Sequence, residues 1–332
     1  MGSAPPLLSI CIPTRNRAAY LRELLESIAA QITPEVEVVI CDDGSTDDTG
    51  AVIESFHSLL PQISAHRVDP PLRYDRNLLH VVSKARGRFC WLFGDDDRLE
   101  PGGLAAVLDA LKKEQELTGL TTDRISYDSA LANRLPVRPL KQQETILFRD
   151  AEAGFHRLLD RLGFLSCQVV SRKIWNEIVR RENLEPYFTG YVQLYVIARM
   201  LVHAPHWQFL AQPCVGFRAD NDSFRALGQF GRLKMDVCGY ETIIGDVFGR
   251  AGRLYHEAMA EVSRTHARHH IVTAKRAGAP LSFFRQALAL CVKHYGRYAT
   301  FWLHTFPVLI MPRAFLLTLR RVYQGRRLSP RA

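Results

Sequence analysis

The sequence lacks the local signatures of several common protein classes. Its seven cysteines form no C-x-x-C pair and are odd in number, and Cys11, Cys41 and Cys90 sit inside apolar runs. This usage predicts reduced, mostly buried thiols of a cytoplasmic protein, not a disulfide framework. No H-E-x-x-H, Walker A or G-x-G-x-x-G motif occurs, so the signatures of zinc proteases, P-loop nucleotidases and dinucleotide-binding domains are missing.

Long hydrophobic runs are also missing. No segment offers the roughly 20 uninterrupted apolar residues that a transmembrane helix needs. The opening "MGSAPPLLSICIP" has no basic n-region and only a short apolar run, which is not typical of a secretory signal. We therefore expect no membrane span and no signal peptide.

Acidic residues are scarce in the last quarter of the chain. From Ala251 to Ala332 there are 14 lysines and arginines against Glu257 and Glu261, a local charge of +12. The first 250 residues carry 29 basic and 32 acidic groups, or −3, so the total of +9 belongs to the tail. Such a tail indicates an anionic partner, either lipid headgroups or nucleic acid. The excess charge lies beside apolar helical patterns, not among exposed aromatics, which argues against nucleic acid.

The first half of the chain alternates short apolar runs with amphipathic patterns. Strands are predicted at Leu7–Pro13, Val36–Cys41, Ile63–Val68 and "FCWLF", with helices between them. This alternation predicts an α/β fold with a mostly parallel, doubly wound sheet. Helical patterns dominate from Gly228 onward. We therefore expect an α/β domain over residues 1–227, divided near residue 117, and a helical region over 228–332.

Three polar clusters each follow a predicted strand. They are "PTRNR" (13–17), "DDGSTDD" (42–48) and "GDDD" (94–97). Ligands of doubly wound sheets bind at the carboxyl ends of the strands. The three clusters are therefore predicted to share one ligand-binding edge.

The triplet Asp95, Asp96 and Asp97 is the most unusual of these clusters. Adjacent carboxylates repel one another unless a cation or several hydrogen-bond donors lie among them. Mg²⁺ and Mn²⁺ prefer such oxygen ligands, and Mg²⁺ uses one or two carboxylates together with substrate phosphates. The alternative is a solvated turn that favours the following helix N-terminus. The buried run "WLF" before the triplet favours the metal site.

The other two clusters are ambiguous when each is taken alone. Asp42 or Asp43 could bind a nucleobase or a ribose hydroxyl, but Asp, Gly and Ser are also ordinary turn formers. Arg15, Arg17 and Arg76 carry guanidinium groups that suit a diphosphate. Most lone arginines, however, are simply solvated.

In their fixed order these motifs resemble those of the family 2 glycosyltransferases, which have the GT-A fold. The matching stretches are "SICIPTRNR", "DDGSTDDT", the Arg76-Asn77 pair and "GRFCWLFGDDD". The resemblance is strong from Leu8 to Leu111 and weaker to about Phe230. In the weaker part, "GFLSCQVVSRKIW", "YFTGYVQLY" and "FRADNDSF" are similar to an abequosyltransferase-like branch of O-antigen enzymes.

The resemblance implies roles for individual residues. Residues 1–117 would bind the nucleotide sugar and residues 118–227 the acceptor. Asp97 would be the principal ligand of a Mn²⁺ or Mg²⁺ ion, with Asp95 as a second ligand. The implied donor-binding residues are Pro13, Thr14, Arg15, Asp42, Asp43, Arg76, Asp95 and Asp96.

One departure from the family pattern concerns the catalytic base. Family members usually carry an acidic pair before a helix, and its aspartate deprotonates the acceptor hydroxyl. This chain has "TGYVQLYVIARML" there, with Gln193 near the expected position, and no acidic residue between Pro186 and Ala219. Glutamine cannot act as a base at neutral pH. The remaining candidates are Glu185, Asp220 and Asp222, of which we favour the last two, although an Asx-type turn would also explain them.

The resemblance implies an inverting transfer of a sugar from a nucleotide donor to a hydroxyl, on a lipid-linked glycan in surface polysaccharide synthesis. The alternative is a pseudoenzyme that binds nucleotide sugars or protein partners. The segment from Phe301 to Arg327 mixes large apolar residues with arginines, and prolines and charges interrupt it. It is therefore predicted to lie on the inner face of the membrane without crossing it. The arginines of this segment are Arg313, Arg320, Arg321, Arg326 and Arg327.

The sequence does not determine the sugar, the nucleotide, the acceptor or the oligomeric state.

Overall fold

The computed structural model describes residues 5–136 and 144–318. The chain divides into two compact units, Met1–Asp222 and Ser223–Ala332. This division falls slightly before the boundary predicted after residue 227. The functional halves predicted on either side of residue 117 stay a prediction.

The first unit is built on one large sheet. Among its described residues, nine strands pair in the order β3-β2-β1-β4-β8-β6-β9-β5, with β7 beside β9. The strands are β1 (Leu8–Thr14), β2 (Val36–Asp42), β3 (Ile63–Arg67), β4 (Phe89–Leu92), β5 (Arg98–Leu99), β6 (Gly119–Tyr127), β7 (Ile146–Phe148), β8 (Gln168–Ser171) and β9 (Trp207–Arg218).

The sheet has a parallel half and a mixed half. Strand β1 pairs in parallel with β2 and β4, and β2 pairs in parallel with β3. All residues of β1, β2 and β4 are buried, as expected for parallel strands that helices cover on both faces. Strand β8 then joins β4 in antiparallel orientation and begins the mixed half. The predicted α/β class with a large, mostly parallel sheet is confirmed.

Helices cover the faces of this sheet. Helix α1 buries Leu21, Leu24, Leu25 and Ile28, which recur at the spacing of one helical face. Helix α7 is buried almost all round, which also agrees with its sequence. The helices of this unit are α1 (Ala18–Ala29), α2 (Thr49–Ser55), α3 (Tyr74–Lys84), α4 (Gly103–Lys113), α5 (Ala151–Leu162), α6 (Arg172–Arg181) and α7 (Val192–His203).

The second unit is helical, as predicted. Within the described ranges, every helix is too short or too polar to traverse a bilayer. Residues 319–332 lie outside the description, and with them Arg320, Arg321, Arg326 and Arg327 of the predicted membrane segment. The helices are α8 (Gly228–Phe248), α9 (Arg253–Val262), α10 (Arg268–Ala277), α11 (Leu281–Tyr295) and α12 (Phe306–Ile310), with π-helical turns at Ser263–Ala267 and Phe301–Thr305.

All seven cysteines are free thiols, and six of them are buried. Burial raises the pKa of Cys41 to about 12, so this thiol stays protonated at neutral pH. The expectation of reduced, mostly buried thiols is confirmed.

Candidate functional site

The three polar clusters lie at one edge of the sheet. In the parallel register Thr14 stands beside Asp42, and Cys11 stands beside Leu92, just before the aspartate triplet. The carboxyl ends of strands β1, β2 and β4 therefore lie at the same edge of the sheet. The predicted shared edge is present in the structure.

The triplet is joined to the first cluster by side-chain contacts. Thr14 donates its hydroxyl to Asp95 Oδ2 at 2.7 Å. The Arg17 guanidinium lies 3.7 Å from Asp95 Oδ1 and 3.0 Å from Asp96 Oδ2. One partly buried arginine thus contacts two of the three carboxylates.

Asp97 is held from the mixed half of the sheet. Its Oδ2 accepts a short hydrogen bond from the Ser166 hydroxyl, and its Oδ1 accepts the Arg218 backbone N–H at 3.2 Å. The residue is only 3% exposed. Asp97 is therefore fixed in orientation and shielded from bulk water.

The negative charge of the three aspartates is only partly balanced by neighbouring positive groups. Burial, and then repulsion from Asp96, raises the pKa of Asp95 to about 7 and that of Asp97 to about 8. Burial also raises the pKa of Asp96, against the opposing charge of Arg17. All three carboxyls ionise together readily only when more positive charge reaches them. The cluster is therefore suited to a cation.

The donor chemistry fits Mn²⁺ or Mg²⁺ in a particular way. Among residues 5–136 and 144–318, no group of three or more His, Cys, Asp and Glu side chains is assembled to hold a metal ion by itself. Mg²⁺ in nucleotide sites takes one or two carboxylates and completes its shell with phosphates and water. Asp95 and Asp97 supply hard oxygens of that kind, so the fit depends on a bound diphosphate.

Asp42 and Asp43 have a different environment from the triplet. Asp42 accepts the Ser45 N–H at 2.9 Å and a guanidinium N–H of Arg67 at 3.0 Å. Asp43 accepts the N–H groups of Leu72 and Arg73 at 2.6 and 2.9 Å. These carboxylates shape the loops at the edge, as the turn interpretation expects. Their contacts with a base or a ribose stay a prediction.

Two arginines of the predicted donor site lie near this edge. Arg15 is half exposed, 4.0 Å from Asp43 Oδ2. Arg76 pairs with Glu185 at 2.5 Å and lies over the ring of Phe188, 4.8 Å from its centroid. Glu185, one of the base candidates, is thus ion-paired to a predicted donor-binding residue.

The loop after β9 brings further residues to the triplet. Asn221 donates its amide N–H to Asp96 Oδ2 at 2.7 Å, and Arg218 donates to the Asp96 carbonyl at 2.9 Å. Asp220, in the left-handed backbone region at φ 60°, and Asp222 flank Asn221 on the exposed side of this loop. Both base candidates are therefore the chain neighbours of a residue that contacts the triplet.

Four residues contact the triplet without having been predicted to do so; of these, the sequence suggested a role only for Arg17, as a possible diphosphate ligand. Arg17 belongs to the "PTRNR" motif, and the other three lie in "GFLSCQVV" and "FRADNDSF", segments that carried the resemblance without a residue assignment. The four residues are Arg17, Ser166, Arg218 and Asn221.

Gln193 is not placed for catalysis. It is 1% exposed, and its side-chain amide donates to the Gly163 carbonyl at 3.3 Å. The side chain therefore lies in the interior of the unit and holds the Gly163 carbonyl.

Comparisons with known proteins identify relatives of the chain and structures of the same fold. The abequosyltransferase RfbV of Salmonella typhimurium is 31% identical over 259 residues, 74% of this chain and 76% of that protein. S. aureus TarS 1–349 in complex with UDP-GlcNAc superposes with a TM-score of 0.64 at 16% identity, over 95% of this chain and 87% of TarS.

A mannosyltransferase of Pyrobaculum calidifontis in complex with GDP-Man and Mn²⁺ has a TM-score of 0.55 at 14% identity, over 97% of this chain and 88% of that one. These two structural likenesses establish the GT-A fold. The family model described as "Glycosyl transferase family 2" matches residues 9–175. The chain therefore belongs to glycosyl transferase family 2.

Proposed function

We propose that this family 2 glycosyltransferase is an inverting, metal-dependent enzyme that transfers a sugar from a nucleotide donor to a glycan hydroxyl. The observation that carries the proposal is the buried aspartate triplet at the carboxyl edge of the sheet, whose charge is only partly balanced. A nucleoside diphosphate with its cation is the ligand that best completes such a cluster. Two proteins of the same fold have been solved with UDP-GlcNAc and with GDP-Man, which supports a nucleotide sugar as the donor.

Asp97 and Asp95 would hold Mn²⁺ or Mg²⁺. When bound, the cation supplies the positive charge that stabilises a departing nucleoside diphosphate. The chain's own residues prepare this site: Thr14 and Arg17 orient Asp95, and Ser166 orients Asp97.

The neighbouring residues would bind the rest of the donor. Pro13, Thr14 and Arg15 would line the nucleotide, because Pro13 and Thr14 end β1 at this edge and Arg15 follows directly. Asp42 and Asp43 are assigned to the base and ribose, and Arg76 to the base or diphosphate. Binding by Arg76 would compete with its exposed ion pair to Glu185, and exposed pairs of this kind are weak.

Acceptor deprotonation is assigned to Asp220 or Asp222. An inverting displacement needs a base on the side of the sugar opposite the leaving group. The loop that carries both aspartates is fastened to the triplet through Asn221 and Arg218. This attachment keeps a carboxylate close to the donor site without burying it.

The acceptor would be lipid-linked, with the enzyme held peripherally on the cytoplasmic face of the membrane. The second unit exposes large apolar side chains, namely Leu303 at 70%, Ile310 at 60% and Phe315 at 54%. Arg313 lies among them in the chain and is exposed. Apolar groups at headgroup depth and a cation for anionic lipid, worth about 1 kcal/mol per basic residue, are typical of interfacial helices.

A nucleotide-sugar screen tests the enzymatic proposal. Thermal stabilisation is measured with and without Mn²⁺ across nucleotide sugars, and transfer is then assayed with the donors that bind. We expect Mn²⁺-dependent stabilisation by one donor class, followed by transfer with inverted anomeric configuration. Binding without transfer to any lipid-linked glycan would favour the pseudoenzyme, and retention of configuration would contradict inversion.

Vesicle sedimentation tests the membrane proposal. A triple variant that combines Leu303→Ser, Ile310→Ser and Phe315→Ser should no longer sediment with anionic vesicles. High salt should release the parent protein only in part, because salt does not screen apolar contacts. Leu59→Ser is a matched control, since Leu59 is 58% exposed on the first unit. Equal sedimentation of the triple variant and the parent would refute membrane contact.

A further inference from the structure

The start of helix α3 connects the donor edge to a second segment of the first unit. Asp43 accepts the N–H groups of Leu72 and Arg73, immediately before α3 begins at Tyr74. Arg73 itself has φ 70°, in the left-handed region. The position of the first turn of α3 is therefore fixed by a carboxylate at the end of β2.

The same turn carries Asp75, which reaches the amino end of helix α7. Its Oδ2 accepts the Gly190 N–H at 2.8 Å, and its Oδ1 accepts the Val192 N–H at 3.2 Å. Asp75, Gly190 and Val192 are all buried. A carboxylate here satisfies backbone donors at a helix start and complements the helix dipole.

Arg76, the next residue, holds the other end of this segment. It pairs with Glu185 and lies over Phe188. Two successive side chains of α3 thus contact residues 185–192 near both ends. The buried Asp75 contact is the lasting one, because the exposed Arg76–Glu185 pair would give way to donor binding. Arg76 is also the predicted donor-binding arginine, so one helical turn serves both the donor and this segment.

The segment is the place where the family pattern expects its acidic pair. Here "TGYVQ" supplies no carboxylate of its own, and the buried carboxylate that lies against it comes from α3. Burying an aspartate is unfavourable, and burial raises the pKa of Asp75 to about 6 against its two amide hydrogen bonds.

We propose that Asp75 is a positioning residue that holds the acceptor-side segment 185–192 in register with the donor bound near Arg76. The inference depends on the proposed transfer reaction. A small displacement of a reacting group costs about 10²-fold in rate, so the loss of this link should lower turnover more than donor binding.

The experiment compares Asp75→Asn and Asp75→Ala in the full chain. Donor affinity is read from thermal stabilisation by nucleoside diphosphate and Mn²⁺, and kcat and the acceptor KM from transfer assays. We expect donor affinity within about twofold of the parent and kcat over acceptor KM lowered about 10- to 100-fold. The asparagine variant should lose less than the alanine variant, because its amide oxygen still accepts one backbone N–H. Asp109→Asn, at an exposed position of α4, is the control and should match the parent.

A second variant approaches the same contact from the opposite side. Gly190 has φ 84°, so Gly190→Ala strains the backbone that Asp75 holds, without changing α3. It should show the same split between donor affinity and turnover. Equal losses of donor affinity and turnover, or an Asp75→Asn chain that fails to fold, would make Asp75 a purely structural residue and overturn the inference. Normal transfer by Asp75→Ala would also overturn it, whereas an inactive parent would overturn the proposed function as well.

Discussion

Two acidic loops leave the same edge of the sheet, after β2 and after β4, yet they differ in how their charge is balanced. Asp42 and Asp43 accept hydrogen bonds from backbone amides and from Arg67. In the loop after β4, burial raises the pKa of all three aspartates, although Asp42 and Asp43 are as little exposed as Asp95 and Asp97. Acidic composition alone therefore does not identify a cation site.

The difference has a simple physical origin. Turn amides that point at a carboxylate stabilise its charged form, so the loop after β2 needs no cation. In the triplet, Asp95 and Asp97 are buried and Asp96 is partly buried. The charges of Arg17, Arg218 and Arg124 do not offset this burial, so ionising all three carboxyls leaves excess negative charge. The loop after β2 therefore shapes the edge, and the loop after β4 is the candidate cation site.

The substitution Asp97→Asn should have the largest effect of those that test the difference between the two loops. Loss of the principal metal ligand removes several kcal/mol of charge stabilisation, so transfer should fall by about 10³-fold or more. The apo protein should keep its unfolding temperature at pH 8 or gain, because an uncharged amide replaces a carboxyl whose ionisation is unfavourable. Steady-state transfer and thermal unfolding measure the two effects. Transfer at the parental rate would refute the metal assignment.

Asp220→Asn and Asp222→Asn come next in expected effect. Removal of a general base costs about 10²-fold or more in turnover, and the donor site should be left intact. One of the two variants should therefore lose turnover with nearly parental donor affinity, measured by thermal stabilisation. Parental turnover in both would pass the role to Glu185 or to no protein group.

Asp43→Ala tests the structural loop and should behave in the opposite way to Asp97→Asn. Two backbone amides lose their acceptor, which should cost on the order of 1–3 kcal/mol of unfolding free energy. Donor affinity should fall with stability, because Asp43 holds the start of α3 near Arg76. Chemical denaturation and nucleotide binding measure both quantities. An Asp43→Ala chain as stable as the parent would show that the loop after β2 is not held as described.

The smallest effect concerns pH. The pKa values of Asp95 and Asp97 are raised in the folded state to about 7 and 8, above their unfolded values. Their stabilising contribution is therefore full below about pH 4 and is lost as pH rises through 7 and 8. A cation favours the ionised forms, so stabilisation by Mn²⁺ with nucleoside diphosphate should increase from pH 6 to pH 8. Asp43→Ala should keep this trend, and Asp97→Asn should flatten it.

The parallel half of the fold and the shared edge were predictable from the sequence. Strand runs such as "VEVVIC", each followed by a polar cluster, place Asp42 and Asp95 at one edge once the strands are parallel. The contacts of Ser166, Arg218 and Asn221 with the triplet were not predictable, because they join residues 69, 121 and 125 positions apart and depend on the antiparallel pairing of β8 with β4. Hydrophobic periodicity does not encode such pairings, nor could it show that Gln193 points inward.

The triplet is expected to lose protons when it binds a cation, and calorimetry can count those protons. Mn²⁺ is titrated at pH 7 into the protein with bound nucleoside diphosphate, in two buffers of different ionisation enthalpy, to count the protons released. The account predicts net release of about one proton in the parent, and weak binding without that release in Asp97→Asn. Equally tight Mn²⁺ binding by both proteins, with no proton released by either, would contradict it.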